Sequence, residues 1–403
     1  MKLDRYHLTY CTNIHPGERW GEVQKSLQTY LPPIRAALSP DQPFGIGLRL
    51  SQQATEDILS GNQLEEFRMW LDENNYYVFT MNAFPYGGFH RQRVKDAVHR
   101  PDWTTPERLR YTLRSFEVLA QLLPTDTEGG ISTSPLSYRL WFTDKTALDA
   151  IRNQAAQQLA KVAEHLYRLR QSTGKLLHLD LEPEPDGLLE TAQEVVDYFN
   201  EWLLPLGIPH LQQQLGISPD EAERCLRTHI QICYDVCHFA VGYERPREVF
   251  DRWQRAGIRI GKIQISAALR AELPAAVTER TAVTRAFASL IESTYLHQVI
   301  ARAANGQLIR YNDLPEALEH IAEPRAREWR THFHVPIFVS EYGALAATQS
   351  DIEKVLTILR EAPVTQHLEV ETYTWEVLPP EMRLGLAESI TRELQWVQDH
   401  YRA

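Results

Sequence analysis

The sequence predicts an α/β protein built as a (β/α)8 barrel with a long insertion between its seventh and eighth strands. Two observations carry this expectation. Short β-rich runs alternate with amphipathic helical stretches along all 403 residues, and a repeated β-then-α order implies parallel strands joined by helical crossovers. The runs number eight, which favours closure into a barrel over an open doubly wound sheet. No glycine-rich dinucleotide fingerprint follows any of them, and that lowers the open-sheet alternative further.

The eight runs are residues 7–14, 44–50, 77–84, 130–133, 176–182, 230–235, 260–266 and 368–375. One crossover shows how the helices are written: Ala155, Leu159, Val162, Leu166 and Leu169 are spaced 4, 3, 4 and 3, a single apolar stripe that can lie against a sheet. Thr146 with Asp149 resembles a capping box at its start, and Gly174 suits the left-handed residue that ends it. Residues 267–367 are the anomaly, far longer than one crossover and containing a further β-like run at 331–338. They read as an insertion on the active face of a single domain spanning 1–403, because their apolar content is too low for a self-sufficient unit.

Composition narrows the function. Hydrophobic residues make up 43% and charged residues 24% of the chain, as in ordinary soluble globular proteins. With 42 Lys and Arg against 53 Asp and Glu, the net charge is −11. A nucleic-acid groove or an anionic membrane surface would work against that field, so neither partner is expected. The opening MKLDRYHLTYC has no apolar signal region, and no later stretch approaches the ~20 apolar residues that span a bilayer. A cytoplasmic protein without membrane insertion is expected. Cys11, Cys225, Cys233 and Cys237 are too few and too uneven for a disulfide framework, which fits a reducing compartment. Cys233 and Cys237, with His238 beside them, lack a second ligand pair and read as buried thiols ahead of zinc ligands.

Parity supplies the candidate site. Alternate side chains of a barrel strand point inward, and those at its C-terminal end line the mouth. In the strand ending HLDLEPEPDG, Leu177, Leu179 and Leu181 share one side, which turns His178, Asp180 and Glu182 inward with Glu182 at the mouth. In QICYDVCH, Gln231, Cys233 and Asp235 face inward and His238 follows in the loop. In GKIQISAAL the inward residues are Lys262, Gln264 and Ser266, and in LEVETYTWEV they are Glu369, Glu371 and Tyr373. A lone carboxylate at a strand end is ordinarily a helix cap or a surface ion pair. Glu182, Asp235, Gln264 and Glu371 come from four consecutive strands with the same parity, and such a ring repels itself unless a cation or a proton resides there. All-oxygen ligation suits Mg2+ or Mn2+, while a nearby histidine raises the case for Mn2+, Co2+ or Zn2+.

Other residues are candidates for binding a substrate. Asn13 and His15 in CTNIHPG are two, with ordinary turn chemistry as the alternative. Asn82 and His90 flank FPYGG, whose glycines let a ligand approach the backbone, and His90 reads equally as a plain loop residue. Arg91, Arg93 and Lys95 could hold a phosphate, although solvation is favoured. His178, His238 and Lys262 face inward or stand at the mouth. Trp20 and Trp375 are core by default, with stacking on a sugar-like ligand as the alternative. His332 and His334 share one face of THFHVPIF, opposite Phe333 and Val335. The insertion that carries them leaves and re-enters at the mouth, so it can fold over the metal as a lid. The two imidazoles then bind a substrate oxygen, complete the metal shell, or decorate a half-exposed hairpin.

The strand pattern and the order carboxylate, Asp-x-x-His, polar, carboxylate resemble the xylose-isomerase-like TIM barrel superfamily, which holds sugar isomerases, epimerases and a DNA-repair endonuclease branch. HLTYCTNIHPGERW, NAFPYGGFH, HLDLEPEPDG, CYDVCHFAVGYE, THFHVPIF and ETYTWEVLP together resemble the EboE metabolite traffic family within it, over almost the whole chain. The superfamily resemblance implies a metal held by Glu182, Asp235, Gln264 and Glu371, with Asp235 and His238 in the Asp-x-x-His motif. Most members have a histidine where Gln264 stands, and hydroxypyruvate isomerases share the glutamine. Such a site makes a C–H beside a carbonyl acidic, the ion stabilising the charge that develops while a carboxylate moves the proton. The expectation is a metal-dependent isomerase or epimerase of a small polyhydroxylated or hydroxycarbonyl metabolite, with Glu182 and Glu371 doubling as acid and base. The EboE resemblance implies the alternative, a non-catalytic protein that holds a metabolite for the partner proteins of an export pathway. A nuclease would want three metals, many histidines and a basic groove, against the acidic balance.

Overall fold

The computed structural model describes residues 1–88, 94–292, 294–378 and 382–402. Eight parallel strands form the barrel: β1 (Tyr6–Tyr10), β2 (Phe44–Arg49), β3 (Tyr76–Asn82), β4 (Gly129–Thr133), β5 (Leu177–Leu181), β6 (Ile230–Asp235), β7 (Ile260–Ile265) and β8 (His367–Val370). Neighbours pair in order from β2 to β8, and β8 pairs in turn with β1, His7 opposite His367 and Tyr10 opposite Val370. Closure between β1 and β2 is thinner. It is made by one parallel bridge, Cys11 to Gly47, by the Thr9 hydroxyl, which donates to the Gly45 carbonyl at 2.8 Å and accepts from the Gly47 N–H at 3.1 Å, and by the Thr12 hydroxyl, which accepts from the Arg49 N–H at 2.8 Å.

Both faces of these strands are inside the protein, as expected where helices cover a parallel sheet. Leu177, Leu179 and Leu181 pack outward, His178 and Asp180 fill the barrel, and all five are fully buried. In the helix Lys145–Thr173 the stripe Ala155, Leu159, Val162 and Leu166 is buried, and Gly174, at φ 74°, closes it with its N–H on the Arg170 carbonyl. Its start corrects the sequence reading. The N-cap is Asp144, whose side chain accepts the Ala147 N–H, and Asp149 instead pairs with Arg152 at 3.0 Å. Two carboxylates compete for one helix start, and the one that lies just outside the first turn takes the cap.

The outer strands stop earlier than their sequence runs. After β1 the chain turns into a short 3-10 helix, Thr12–Ile14. After β8 it leaves the ladder, and the N–H groups of Tyr373 and Thr374 bond to the His334 carbonyl of the insertion at 3.1 and 3.0 Å.

Residues 267–367 hold much more than one β-like run. Leu269–Glu272, Val299–Ala303, Leu308–Tyr311, Ala326–Thr331, Glu341–Tyr342 and Leu345–Ala347 form a six-stranded antiparallel sheet, with helices Thr281–Ala288 and Leu314–Glu319 beside it. Phe287, Leu314 and Trp329 are fully buried and continuous with the apolar core of the barrel. The run expected at 331–338 is corrected, because the strand ends at Thr331 and the histidines lie on the extended segment beyond it. That segment is held by bonds from the His332 N–H to the Gln298 carbonyl at 2.9 Å and from the Val335 N–H to the Ala267 carbonyl at 3.0 Å. Among the described residues no helix is long and apolar enough to cross a membrane, and the four cysteines are buried free thiols.

Candidate metal centre

Three carboxylates meet at the C-terminal end of the barrel. Glu182 follows β5, Asp235 ends β6 and Glu371 follows β8, and one carboxyl oxygen of each lies within 4.8 Å of the others. All three are buried. Glu182 Oε2, Asp235 Oδ2 and the amide oxygen of Gln264, on β7, have no hydrogen-bond partner, which is uncommon for buried acceptors. Burial, then the nearness of Glu371 and Asp235, pushes the Glu182 carboxyl well above the usual carboxylate range. Burial raises Glu371 as well, with His334 opposing and Asp235 reinforcing the shift. A divalent cation resolves both strains, since it gives the orphaned oxygens a partner and neutralises the repulsion. The donor set fits a hard ion.

Each carboxylate is fixed from behind. Asp235 Oδ1 accepts from the Ser266 hydroxyl at 2.7 Å and from the His238 N–H at 3.1 Å, capping the short helix Val236–Val241. This leaves Oδ2 for the centre. The Tyr373 hydroxyl donates to Glu371 Oε1 and is held in turn by Asn13 Nδ2 at 2.9 Å.

Imidazoles face the carboxylates. His238 Nδ1 lies 3.0 Å from the Pro183 carbonyl, His332 Nδ1 2.8 Å from Gln298 Oε1, and His334 Nδ1 3.3 Å from the Glu371 carbonyl. Gln298 is oriented by its amide N–H on the Pro185 carbonyl at 3.1 Å. Each ring can therefore donate through Nδ1 to an oxygen that only accepts, which leaves Nε2 toward the cleft. Burial, with His334 adding, drives His238 down to about 3, and burial drives His332 well below the ordinary histidine value. The Nε2 atoms of His332 and His334 are 3.3 Å apart, so a hydroxyl or a cation is the natural occupant of the space before them. The cleft encloses about 800 Å3, some of it open to solvent, and Tyr295, Leu296, Gln298 and Phe333 of the insertion wall one side.

The structure brings Asn13, Asn82, His238, His332 and His334 to this cleft together with Glu182 and Glu371. Other candidates lie elsewhere. His15 Nε2 is 2.7 Å from the Tyr10 hydroxyl and its ring stacks on Tyr30 with centroids 4.3 Å apart. Lys262 sits deeper in the barrel with Nζ 2.7 Å from Glu369 Oε2, and His178 is paired with Asp180 at 2.7 Å. Trp375 opens a short 3-10 helix beside a different surface pocket, and Trp20 packs edge-on against Phe67 in the core. Lys95, at the rim of the cleft, pairs with Asp313 at 2.6 Å. His90, Arg91 and Arg93 lie outside the described residues. The Cys237 thiol joins the mouth, within 4.8 Å of donor nitrogens of His332 and His334, while Cys233 is buried within β6.

Sequence reasoning missed Glu184 and His99. His99 Nε2 is 3.1 Å from Glu184 Oε1, and burial, with Asp235 next, pushes Glu184 well above the usual range. Glu184 continues the parity of Glu182 by two residues, a signal present in LEPEPDG. His99 reaches the site from a crossover loop and had none.

One group behind the mouth gives a pH prediction. Glu393, on the helix Leu386–Arg402, accepts from the Thr372 hydroxyl at 2.7 Å and the Ile337 N–H at 3.1 Å. Burial pushes its carboxyl up to about 8 from 4.5. Between these values the folded state holds a proton that the unfolded state has released, so stability falls as pH rises through that window. Glu393→Gln, which mimics the protonated form, should lie close to wild type in urea denaturation at pH 5. At pH 9 it should exceed wild type by on the order of 4 kcal/mol, since each tenfold difference in proton affinity between the folded and unfolded states is worth about 1.4 kcal/mol.

A solved xylose isomerase-like TIM barrel protein from Mycobacterium smegmatis, in complex with magnesium, is similar over 100% of this chain and 98% of its own, at 12% identity and a TM-score of 0.50. A D-tagatose 3-epimerase-like protein matches over 98% of each chain at 12% identity and 0.49. The IolI protein with a bound zinc atom matches over 97% of this chain and 96% of its own at 12% identity and 0.46. The chain matches no protein-family model and no curated protein. The fold is a TIM barrel, as in these proteins, and the comparisons lend the EboE resemblance no support.

Proposed function

We propose that the chain is a divalent-metal-dependent isomerase or epimerase of a small polyhydroxylated or hydroxycarbonyl compound, with Glu182, Asp235, Gln264 and Glu371 holding the ion. The observation that carries this reading is the cluster of three buried carboxylates at the barrel mouth, two of which, Glu182 and Asp235, have an orphaned oxygen. The magnesium-bound protein of similar fold supports it. A divalent ion in this position supplies Lewis acidity to a carbonyl and its neighbouring hydroxyl. The rest is the work of the chain's own side chains. Glu182 and Glu371 approach from β5 and β8, separated by two strands, so one carboxyl can take the proton from carbon while the other returns it from a second direction. Tyr373, anchored by Asn13, holds Glu371 in place. The Nε2 atoms of His238, His332 and His334 hydrogen-bond the substrate hydroxyls, which a polyhydroxylated compound offers in number. Tyr295, Leu296 and Phe333 keep water from the reacting carbon.

The test follows hydrogen at carbon. The protein is incubated in D2O with Mg2+ or Mn2+ and a panel of small ketoses, aldoses and hydroxycarbonyl acids, and deuterium incorporation is read by NMR. Metal-dependent exchange beside the carbonyl is expected, falling at least a hundredfold in Glu371→Gln, about 2.7 kcal/mol of barrel-mouth chemistry. Tight binding of a panel member with no exchange under either metal would refute catalysis and leave a metabolite-binding protein.

A further inference from the structure

A second group of ligand-type side chains lies at the opposite end of the barrel. His178 on β5 and His367 at the start of β8 are fully buried, and their rings stack with centroids 5.3 Å apart and planes at 29°. Glu128, immediately before β4, reaches the same place, and a carboxyl oxygen of Glu128 lies within 4.8 Å of one ring nitrogen from each histidine, those two being equally close to each other.

Hydrogen bonding shows which nitrogens are available. His178 Nδ1 is 2.7 Å from Asp180 Oδ1, and His367 Nε2 is 3.1 Å from the Glu128 carbonyl. Both acceptors are oxygens without hydrogen, so these nitrogens carry protons, and the atoms left over are His178 Nε2 and His367 Nδ1. Neither has a hydrogen-bond partner. Each fully buried ring thus keeps one unpartnered nitrogen, and the two rings share the Glu128 carboxylate within reach, which together make the donor set of a coordination site. Each histidine already has the carboxylate or carbonyl behind it that orients metal-bound imidazoles and makes them better donors.

The space for the His178–Asp180 pair is cleared by glycine on both sides. A Cβ at Gly261 would fall 1.9 Å from Asp180 Oδ1 and 2.6 Å from His178 Nδ1, and one at Gly130 would fall 2.4 Å from His178 Cε1. No larger residue fits at either position while this pair is in place. Glu128 is half-buried, so its carboxylate reaches both the buried rings and the surface, and a groove lined by His7, Tyr77 and Thr127 lies at the same end of the molecule. We infer that Glu128, His178 and His367 form a second cation site, of a borderline metal such as Zn2+ or Co2+. Two imidazoles and one carboxylate suit those ions and not Mg2+. His178 precedes Glu182 by four residues, roughly 13 Å along an extended chain, so the two sites do not share ligands. The ion would tie the segments leading into β4, β5 and β8 together across the barrel.

The test uses the full chain, stripped with chelator and titrated with Zn2+ by calorimetry and with Co2+ by visible absorption. Glu182→Gln/Glu371→Gln/His238→Gln/His332→Gln/His334→Gln, which removes the carboxylate and imidazole donors of the mouth, should still bind one equivalent of Zn2+ and give a cobalt spectrum of imidazole ligation. Adding Glu128→Gln to it should weaken that binding at least tenfold with an unchanged far-ultraviolet circular dichroism spectrum, since Glu128 stands at the surface outside the strand. His367→Gln should do the same. Absence of Zn2+ binding in the mouth variant, or equal affinity with and without Glu128→Gln, overturns the site. The reading of the mouth fails separately. A wild-type protein that binds one equivalent, lost with Glu128→Gln and kept with the mouth variant, refutes the mouth site and upholds this one.

Discussion

Glu182→Gln should make the metal-free protein more stable and the metal-loaded protein less stable, so the two melting curves exchange order when metal is added. Without metal, Glu182, Asp235 and Glu371 crowd their carboxyl oxygens within 4.8 Å in a buried site, and neutralising one removes repulsion worth about 1–2 kcal/mol, less than the difference in metal stabilisation that follows. With metal at about 100 times its dissociation constant, wild type gains about 2.7 kcal/mol from binding. A variant that binds a hundredfold more weakly gains about 0.4 kcal/mol at the same concentration. For a chain of this length each kcal/mol moves the midpoint by about 1 °C, within reach of scanning fluorimetry run with chelator and with Mn2+. A variant less stable than wild type under both conditions would mean that Glu182 is a packing residue.

The largest loss of stability is expected from Lys262→Met. Lys262 and Glu369 are both fully buried and 2.7 Å apart, and the ammonium also donates to the Met81 carbonyl at 3.3 Å. Burial raises the Glu369 carboxyl and Lys262 is the main group holding it down. Removing the lysine leaves a carboxyl with no counter-charge in the barrel, a change that costs about 3–5 kcal/mol. Glu369→Gln in the same chain should restore most of that loss, and the double-mutant cycle in urea should give a coupling of about 2 kcal/mol or more. Additive single effects would show that the two charges do not depend on each other.

Strand alternation made much of this legible. It turns Glu182, Asp235, Gln264 and Glu371 to the interior, because the leucines and isoleucines between them mark the helix-facing side. It does not give depth. His178, Asp180 and Glu182 share one face, yet the first belongs to the base of the barrel and the last to its mouth; Lys262 and Gln264 differ in the same way. Depth depends on how neighbouring strands are staggered, and that is a property of pairs of strands. The insertion was read as one run because its strands are short, antiparallel and interrupted by charges such as Arg270, Arg302, Arg310 and Glu328, so they lack the apolar runs of the barrel strands. Tyr373 follows the parity of Glu369 and Glu371, whereas His99 reaches the cleft from a short 3-10 helix within a crossover, where no strand periodicity marks a side chain's direction.

The thin closure between β1 and β2 bears on how the chain is assembled. The first barrel strand to be synthesised has its parallel ladder partner in the last, from His7 opposite His367 to Tyr10 opposite Val370, and toward β2 the join is made by the Cys11–Gly47 bridge and the Thr9 and Thr12 hydroxyls. The C-terminal helix then laps the join, with Tyr401 edge-on to Tyr6 at 5.7 Å and the Gln398 amide against the Met1 sulfur at 3.3 Å. Pairings this distant in sequence form slowly, because the chain's entropy is surrendered before the contacts reward it. On a ribosome β1 emerges first, folds back locally on the short antiparallel strand Lys2–Leu3, and waits longest for its parallel partner. Until β8 arrives its other edge is open, and that interval is when neighbouring copies are best able to capture it.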